Sequence, residues 1–132
     1  MMIMRSSEEQ SIHDKVATDS ARSYLKVTTS GNIKVNLGDA KNFVIEGKYP
    51  DVIVKLPTGE IIIEEVETES TVTEDSLEKW RDFSNLGHEV RILVPLSKLD
   101  LAKELASRLT IPVNIQAYAI SGNNIQWFGK NQ

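Results

Sequence analysis

Three carboxylates flank one predicted turn, and their spacing suits metal chemistry. Asp51 opens an apolar run, and Glu65 and Glu67 stand near the end of the next one, with the turn signal LPTGE between the two runs. Side chains two residues apart on a strand share a face, so Glu65 and Glu67 point the same way. Pairing about the turn places residue 51 roughly opposite residue 65. Two or three carboxylates then converge at the open end of the hairpin.

Like charges held this close are destabilising unless a proton or a cation neutralises them. The chain has no cysteine and two histidines, His13 and His88, so the ligands of a bound metal must be mainly oxygen atoms. Such ligands favour magnesium, manganese or calcium. The other interpretation of the three acids is a solvated polar strand face. For Glu64 and Glu69, the pattern predicts surface charge that keeps an edge strand from aggregating.

The carboxylate hairpin, over roughly 51–56 and 60–67, is the clearest element of the chain. The spacing of apolar residues predicts three helices: one over 8–26 capped by Ser7, one from Thr73 to Gly87, and one from Ser97 or Asp100 to before Pro112. Further strands are predicted over 33–37, 42–47, 89–95, 113–120 and the segment IQWF.

This order of elements predicts an α/β fold of the α+β type, with a mixed sheet and helices on both faces. No repeat or linker interrupts it, so we expect residues 1–132 to form a single domain. No apolar run approaches the roughly 20 residues that span a bilayer. The apolar stretch at the N-terminus is too short for a signal peptide. A cytoplasmic protein without a membrane segment is therefore expected.

The segments YPDVIV and IIIEEVETE resemble the motif of the PD-(D/E)xK nuclease superfamily. Pro50 and Asp51 match its first element, and Glu65-Val66-Glu67 matches the second in position. The predicted order up to residue 95 is similar to the restriction-endonuclease-like αβββαβ core, to which this chain adds a C-terminal helix and strand. The resemblance implies a Mg²⁺-dependent or Mn²⁺-dependent nuclease that hydrolyses phosphodiester bonds of DNA or RNA.

The resemblance also implies the ligands. Asp51, Glu65 and the backbone carbonyl of Val66 would hold the metal, and Glu67 would be a further ligand or a proton acceptor. Glu9, on the first helix, is a candidate to join them, as helix-borne acids do in some members.

The sequence departs from the family at one position, because Glu67 stands where the motif has a lysine. Two residues are candidates for a lysine that has moved: Lys55, on the Asp51 face of the hairpin, and Lys79, on the helix that follows. The alternative is an inactive member of the same fold that serves as a binding or assembly module.

The expected partners follow from charge and size. A net charge of −4 gives no general basic footprint, so nucleic acid would be gripped locally. A core of this size would need a second subunit to embrace a duplex, and a homodimer is predicted. His88 is interpreted as a turn residue and His13 as a structural residue of the first helix, with a general base as the alternative for each. Trp127 is interpreted as a packed aromatic, with base stacking as the alternative.

Overall fold

The computed structural model describes residues 5–128, and its elements largely follow the predicted order. The α-helices are α1 (Ser7–Ser23), α2 (Ser76–Ser84) and α3 (Leu99–Ala106). The strands are β1 (Ile33–Val35), β2 (Val52–Lys55), β3 (Ile61–Val66), β4 (Glu89–Pro95), β5 (Asn114–Ser121) and β6 (Asn124–Phe128). Residues 1–4 and 129–132 lie outside the described part, and the single domain over 1–132 stays a prediction.

The six strands within residues 5–128 form one sheet in the order β1-β2-β3-β4-β5-β6. The pairs β1–β2, β2–β3 and β5–β6 are antiparallel, and the pairs β3–β4 and β4–β5 are parallel. Parallel neighbours need a crossover connection, which α2 and α3 supply. The predicted α/β fold with a mixed sheet is confirmed.

Helices cover both faces of this sheet. On one face, Val16 of α1 packs in a buried cluster with Val54 and other strand residues. On the opposite face, Trp80 of α2 and Leu105 of α3 share a second cluster with Ile63. Because successive residues of a strand point to opposite faces, β3 contributes to both clusters and is buried on both sides.

The register of the central hairpin agrees with the prediction. Val52 lies opposite Glu64, and Lys55 lies opposite Ile61. Continuing this register by one residue places Asp51 beside Glu65. The hairpin therefore brings two of the three predicted site acids to the same end of the sheet.

The predicted strand over 42–47 is wrong, and a buried asparagine explains why. The side-chain oxygen of Asn36 accepts hydrogen bonds from the N–H groups of Asn42 (3.0 Å) and Phe43 (2.9 Å). Its side-chain nitrogen donates to the carbonyl oxygens of Phe43 and Pro50, both at 2.8 Å. These bonds satisfy backbone groups that a sheet ladder would otherwise pair. The segment is consequently an ordered loop.

All three α-helices begin at residues other than those predicted. The third, α3, begins at Leu99 and not at Ser97 or Asp100. Ser6, and not Ser7, caps α1, because its side-chain oxygen accepts a hydrogen bond from the N–H of Glu9 at 3.1 Å. The second helix begins at Ser76 after a turn that includes Thr73, so the predicted start was early.

Glu64 is not the surface charge that the sequence predicted. Its side chain is fully buried, and the hydroxyls of Ser20 and Tyr24 on the α1 side each donate to its carboxylate at 2.5 Å. Arg91 donates in turn to the Tyr24 hydroxyl at 2.7 Å. The prediction was wrong because β3 is a central strand and not an edge. Glu69, two residues beyond the site, is exposed as predicted.

We expect Tyr24→Phe to lower the free energy of unfolding by about 1.5–3 kcal/mol, because it removes a hydroxyl that binds a buried carboxylate. Urea denaturation measures the difference. The matched control is Tyr49→Phe, which removes the same atom from an exposed ring and should change stability by less than about 0.5 kcal/mol. Equal effects of the two substitutions would contradict the role of the Tyr24 hydroxyl.

Candidate active site

The predicted acids lie at one end of the sheet, on neighbouring strands. Asp51 immediately precedes β2, Glu65 is in β3, and Glu67 follows β3. The N–H of Asp51 donates to Glu65 Oε1 at 3.2 Å, and the N–H of Val66 donates to Asp51 Oδ2 at 2.8 Å. These reciprocal bonds fix the carboxylates of Asp51 and Glu65 against the opposite strand.

Lys79 of α2 supplies the positive charge of this cluster. Its Nζ atom lies 3.0 Å from Glu65 Oε2 and 3.0 Å from Glu67 Oε2. Of the two lysines predicted from the sequence, the structure brings Lys79 to the acids. Lys55 is exposed at the other end of β2, near the turn of the hairpin, and does not join them.

Glu67 is fully buried, and its side chain contacts residues of α2. Besides Lys79, its Oε2 atom accepts a hydrogen bond from the indole nitrogen of Trp80 at 2.9 Å. Its Oε1 atom is buried without a hydrogen-bond partner among residues 5–128, and Arg5 Nη2 is 3.9 Å away. Trp80 is a core residue, as predicted, with one polar contact that orients Glu67.

The contact between His13 and Asp51 was not predicted from the sequence. This buried histidine of α1 places its Nε2 atom 3.0 Å from Asp51 Oδ1, and its Nδ1 atom 2.9 Å from Asp14 Oδ1. Asp14 also accepts hydrogen bonds from the N–H of Gly38 and the side chain of Gln10. A histidine between two carboxylates is held in one orientation, so it fixes the side chain of Asp51. The available signal was the position of His13 beside Ile12 and Val16 on the buried face of α1.

The protonation behaviour of the cluster follows from burial and these contacts. Burial and the charge of Asp51 raise the pKa of Glu65 to about 8. Burial alone would lower the pKa of Lys79, but the charges of Glu65 and Glu67 outweigh it and raise that pKa. Burial would raise the pKa of Asp51, yet the hydrogen bond and charge of His13 lower it. Below about pH 8 the Glu65 carboxyl therefore keeps its proton in the folded protein.

Other predicted residues lie near the cluster with partners of their own. Arg5 Nη2 donates to the carbonyl of Val66 at 2.9 Å, the atom predicted as a metal ligand. Glu9 accepts hydrogen bonds from Thr68 (2.8 Å) and Ser70 (2.6 Å), just beyond β3. Glu9 thus holds the segment that follows the site acids.

The two remaining aromatic and imidazole candidates lie apart from the acids. His88 Nε2 is 3.5 Å from Glu46 Oε2 at the surface. Trp127 packs edge-on against Tyr118 and donates to Asp19 at 2.9 Å, which agrees with the packed aromatic that the sequence favoured.

The carboxylate oxygens of the site are the type of ligand that a hard divalent cation prefers. Among residues 5–128, no group of three or more His, Asp or Glu side chains already has an arrangement that would hold a metal ion. Asp51 and Glu65 nevertheless lie beside each other on neighbouring strands, and burial together with repulsion from the charge of Asp51 raises the pKa of Glu65. A bound cation would remove that repulsion. The four-ligand set with Val66 and Glu67 stays a prediction.

A cleft of about 880 Å³ lies along α2 and reaches Glu67 and Lys79. Its lining carries basic and acidic side chains in similar numbers. The basic ones are Arg5, Lys48, Lys79, Arg81 and Arg108, and the acidic ones are Glu67, Glu74, Asp75, Glu78 and Asp82. The cluster is therefore approached through a space of mixed charge.

Comparison with known proteins gives a structural likeness and no family. No family model matches the chain, and no curated protein matches it. The structure of Pyrococcus furiosus SfsA in complex with Ca²⁺ is similar, with a TM-score of 0.43 and 13% sequence identity. The match covers 92% of this chain and 62% of SfsA, so it spans less than two thirds of that protein. No helix within residues 5–128 is long and apolar enough to cross a membrane.

We expect Lys79→Met to destabilise the fold by about 2 kcal/mol, because it leaves buried Glu65 and Glu67 without their cation. The effect stays below that of a fully buried pair, because the side chain of Lys79 is 40% exposed. Urea denaturation at pH 8 is the measurement. Lys55→Met, an exposed lysine of the same hairpin, is the control, and the same loss of stability in both variants would contradict this account.

The metal-free protein should become less stable as pH rises from about 5 to 8. The pKa of Glu65 is raised to about 8 on folding, so the unfolded chain releases this proton first and is favoured as pH increases. His13, whose pKa is also raised by Asp51 despite its burial, acts in the same direction. The test is urea denaturation with EDTA across this range.

Glu65→Gln should reduce this loss of stability by at least about 1 kcal/mol between the two ends of the range. Glu60→Gln, which alters an exposed acid on the same hairpin, should leave the pH dependence as in the wild type. A wild-type protein that gains stability over this range would show that Glu65 does not hold its proton on folding.

Proposed function

We propose that this chain is a divalent-metal-dependent phosphodiesterase that acts on nucleic acid, with Lys79 in the role of the missing motif lysine. One observation carries the proposal. The ammonium group of Lys79 lies 3.0 Å from both Glu65 and Glu67, although the sequence has an acid at the position of the motif lysine. The site therefore combines two acids that would bind the metal and one lysine, which a helix supplies.

Each side chain of the site has a part in this chemistry. Asp51 and Glu65 would hold Mg²⁺ or Mn²⁺, which when bound supplies a polarised phosphoryl oxygen and a water of lowered pKa. His13 keeps the Asp51 carboxylate in place through the 3.0 Å contact. Lys79 can stabilise negative charge that develops on the phosphoryl oxygens.

Glu67 contributes in two ways. Its Oε2 atom, fixed by Trp80, holds the ammonium group of Lys79 beside Glu65. In the proposed chemistry its Oε1 atom, which is buried and accepts no hydrogen bond within residues 5–128, would be the proton acceptor. An acid at position 67 is thus compatible with catalysis as long as Lys79 is present.

A specific observation favours a second function, a catalytically inactive binding or assembly module. Each carboxylate oxygen of Asp51 and Glu65 already has a partner within the protein. Asp51 is bound by His13 and the N–H of Val66, and Glu65 by Lys79 and the N–H of Asp51. A metal ion would have to displace or share these contacts, so metal binding separates the two functions.

The test has two measurements on one set of variants. Mg²⁺ or Mn²⁺ should raise the melting temperature of the wild type, because a ligand that binds the folded state stabilises it. Asp51→Asn should abolish this shift, whereas Asp39→Asn, which changes an exposed aspartate, should retain it. No shift in the wild type at millimolar metal would favour the inactive module.

The second measurement is cleavage of labelled single-stranded, double-stranded and branched DNA and RNA with Mn²⁺. Lys79→Met should lower the rate at least about 100-fold, and Lys55→Met should leave it unchanged. Cleavage that persists in Glu65→Gln would indicate a contaminating nuclease. Sedimentation of the same samples tests the predicted homodimer.

A further inference from the structure

The loop between β1 and β2, residues 36–51, exposes an unusual share of the apolar surface. Ten large apolar side chains are exposed among residues 5–128, and four of them lie within this loop. They are Leu37, Phe43, Val44 and Tyr49, and the two rings are 37% and 43% exposed. Single exposed apolar residues are ordinary, but a group of them on one loop marks a binding surface.

The loop holds these side chains outward by a rigid construction. Asn36, itself buried, ties both arms of the loop together through the four side-chain hydrogen bonds described above. At the tip, Ile45 and Lys48 exchange backbone hydrogen bonds of 2.9 Å and 2.8 Å across a tight turn at Glu46 and Gly47. The apolar group is therefore built into the fold.

Lysines accompany both rings. Lys34 Nζ lies 5.3 Å from the centroid of the Phe43 ring, and Lys41 Nζ lies 5.6 Å from the centroid of the Tyr49 ring. A third lysine, Lys48, lines the cleft along α2 that also contains Lys79. The bases of a single-stranded nucleic acid stack on aromatic rings and its phosphates bind cations, so exposed rings beside lysines suit such a ligand.

The loop is joined to the candidate site. The N–H of Asn36 donates to the carbonyl of Asp51 at 2.9 Å, and Tyr49 precedes Asp51 by two residues. On the other side, Lys48 Nζ is 3.7 Å from Asp82 of α2, one turn beyond Lys79. Lys48 therefore joins the loop to the cleft, and the rings of Phe43 and Tyr49 lie outside the lining of that cleft.

We propose that residues 36–51 form a platform for single-stranded nucleic acid, on which unpaired bases stack against Phe43 and Tyr49. Lys34, Lys41 and Lys48 contact the phosphates. The lysines leave the rings readily, since an exposed cation–π contact contributes about 0.5–1 kcal/mol and base stacking about 1–3 kcal/mol per base. A duplex does not fit this surface, because its bases are already stacked. This inference rests on the proposed function for its type of ligand.

The experiment is fluorescence anisotropy with labelled oligodeoxythymidine and oligouridine of 12 nucleotides, in EDTA so that no cleavage occurs. Wild type should bind the single strands and bind a duplex of equal length at least about 10-fold more weakly. Phe43→Ala and Tyr49→Ala should each weaken binding by about 5- to 100-fold. Leu101→Ala, which removes an equally exposed apolar side chain from α3, is the matched control and should bind as the wild type does.

Two further variants test the chemistry of the contact. Phe43→Leu keeps an apolar side chain and removes the ring, so it should bind as weakly as Phe43→Ala. Lys34→Gln should weaken binding and reduce the dependence on salt by about 0.7 in the slope of log K against log salt. Full binding by Phe43→Leu, or binding that ignores both rings, overturns the platform.

The outcome separates this inference from the proposed function. Ring-dependent binding without metal-dependent cleavage leaves the platform in place and removes the phosphodiesterase. Metal-dependent cleavage with ring-independent binding supports the phosphodiesterase and removes the platform. Circular dichroism of every variant is the control for folding. The loop substitutions alter exposed side chains and should leave the spectrum unchanged.

Discussion

The arrangement of this protein depends on one shared cation: the ammonium group of Lys79 bridges the carboxylates of Glu65, in β3, and Glu67, just after it. Burial of several acids on a central strand would otherwise be strongly unfavourable, because the interior stabilises charge far less than water does. The bridge requires α2 to pack where Lys79 can reach the strand. Trp80, the next residue, fills the core below and donates to Glu67. The lysine that allows the acids to be buried is also the one that chemistry would need.

The features that depend on local pattern were predictable from the sequence. Two runs rich in Ile and Val, separated by the LPTGE turn, predicted the hairpin and with it the register that sets Asp51 beside Glu65. The run over 89–95 is a strand with those bounds, since a short apolar run between turns suits a strand buried on both faces. Helical spacing predicted all three α-helices. Their observed first residues differ from the predicted ones by one to three positions.

The features that depend on tertiary contacts were not predictable from the sequence. The pattern of 42–47 suits a strand, but Asn36 takes its hydrogen bonds. Glu64 is buried because β3 lies in the centre of the sheet. The residues of β3 alone do not indicate which strands lie on either side of it. His13 meets Asp51 because α1 packs across the sheet. The sequence offered Lys55 and Lys79 equally, and the docking of a helix decided between them.

The helix-borne lysine has a consequence for the dynamics of the molecule. The helix α2 has nine residues and is too short to persist alone, so its order depends on docking. Any local opening that lifts α2 from the sheet removes Lys79 and Trp80 from the acids at once, and the repulsion within β3 then opposes partial unfolding of this kind. The charge cluster and the helix should consequently open as one cooperative unit, visible as matched amide hydrogen exchange in α2 and at the end of β3.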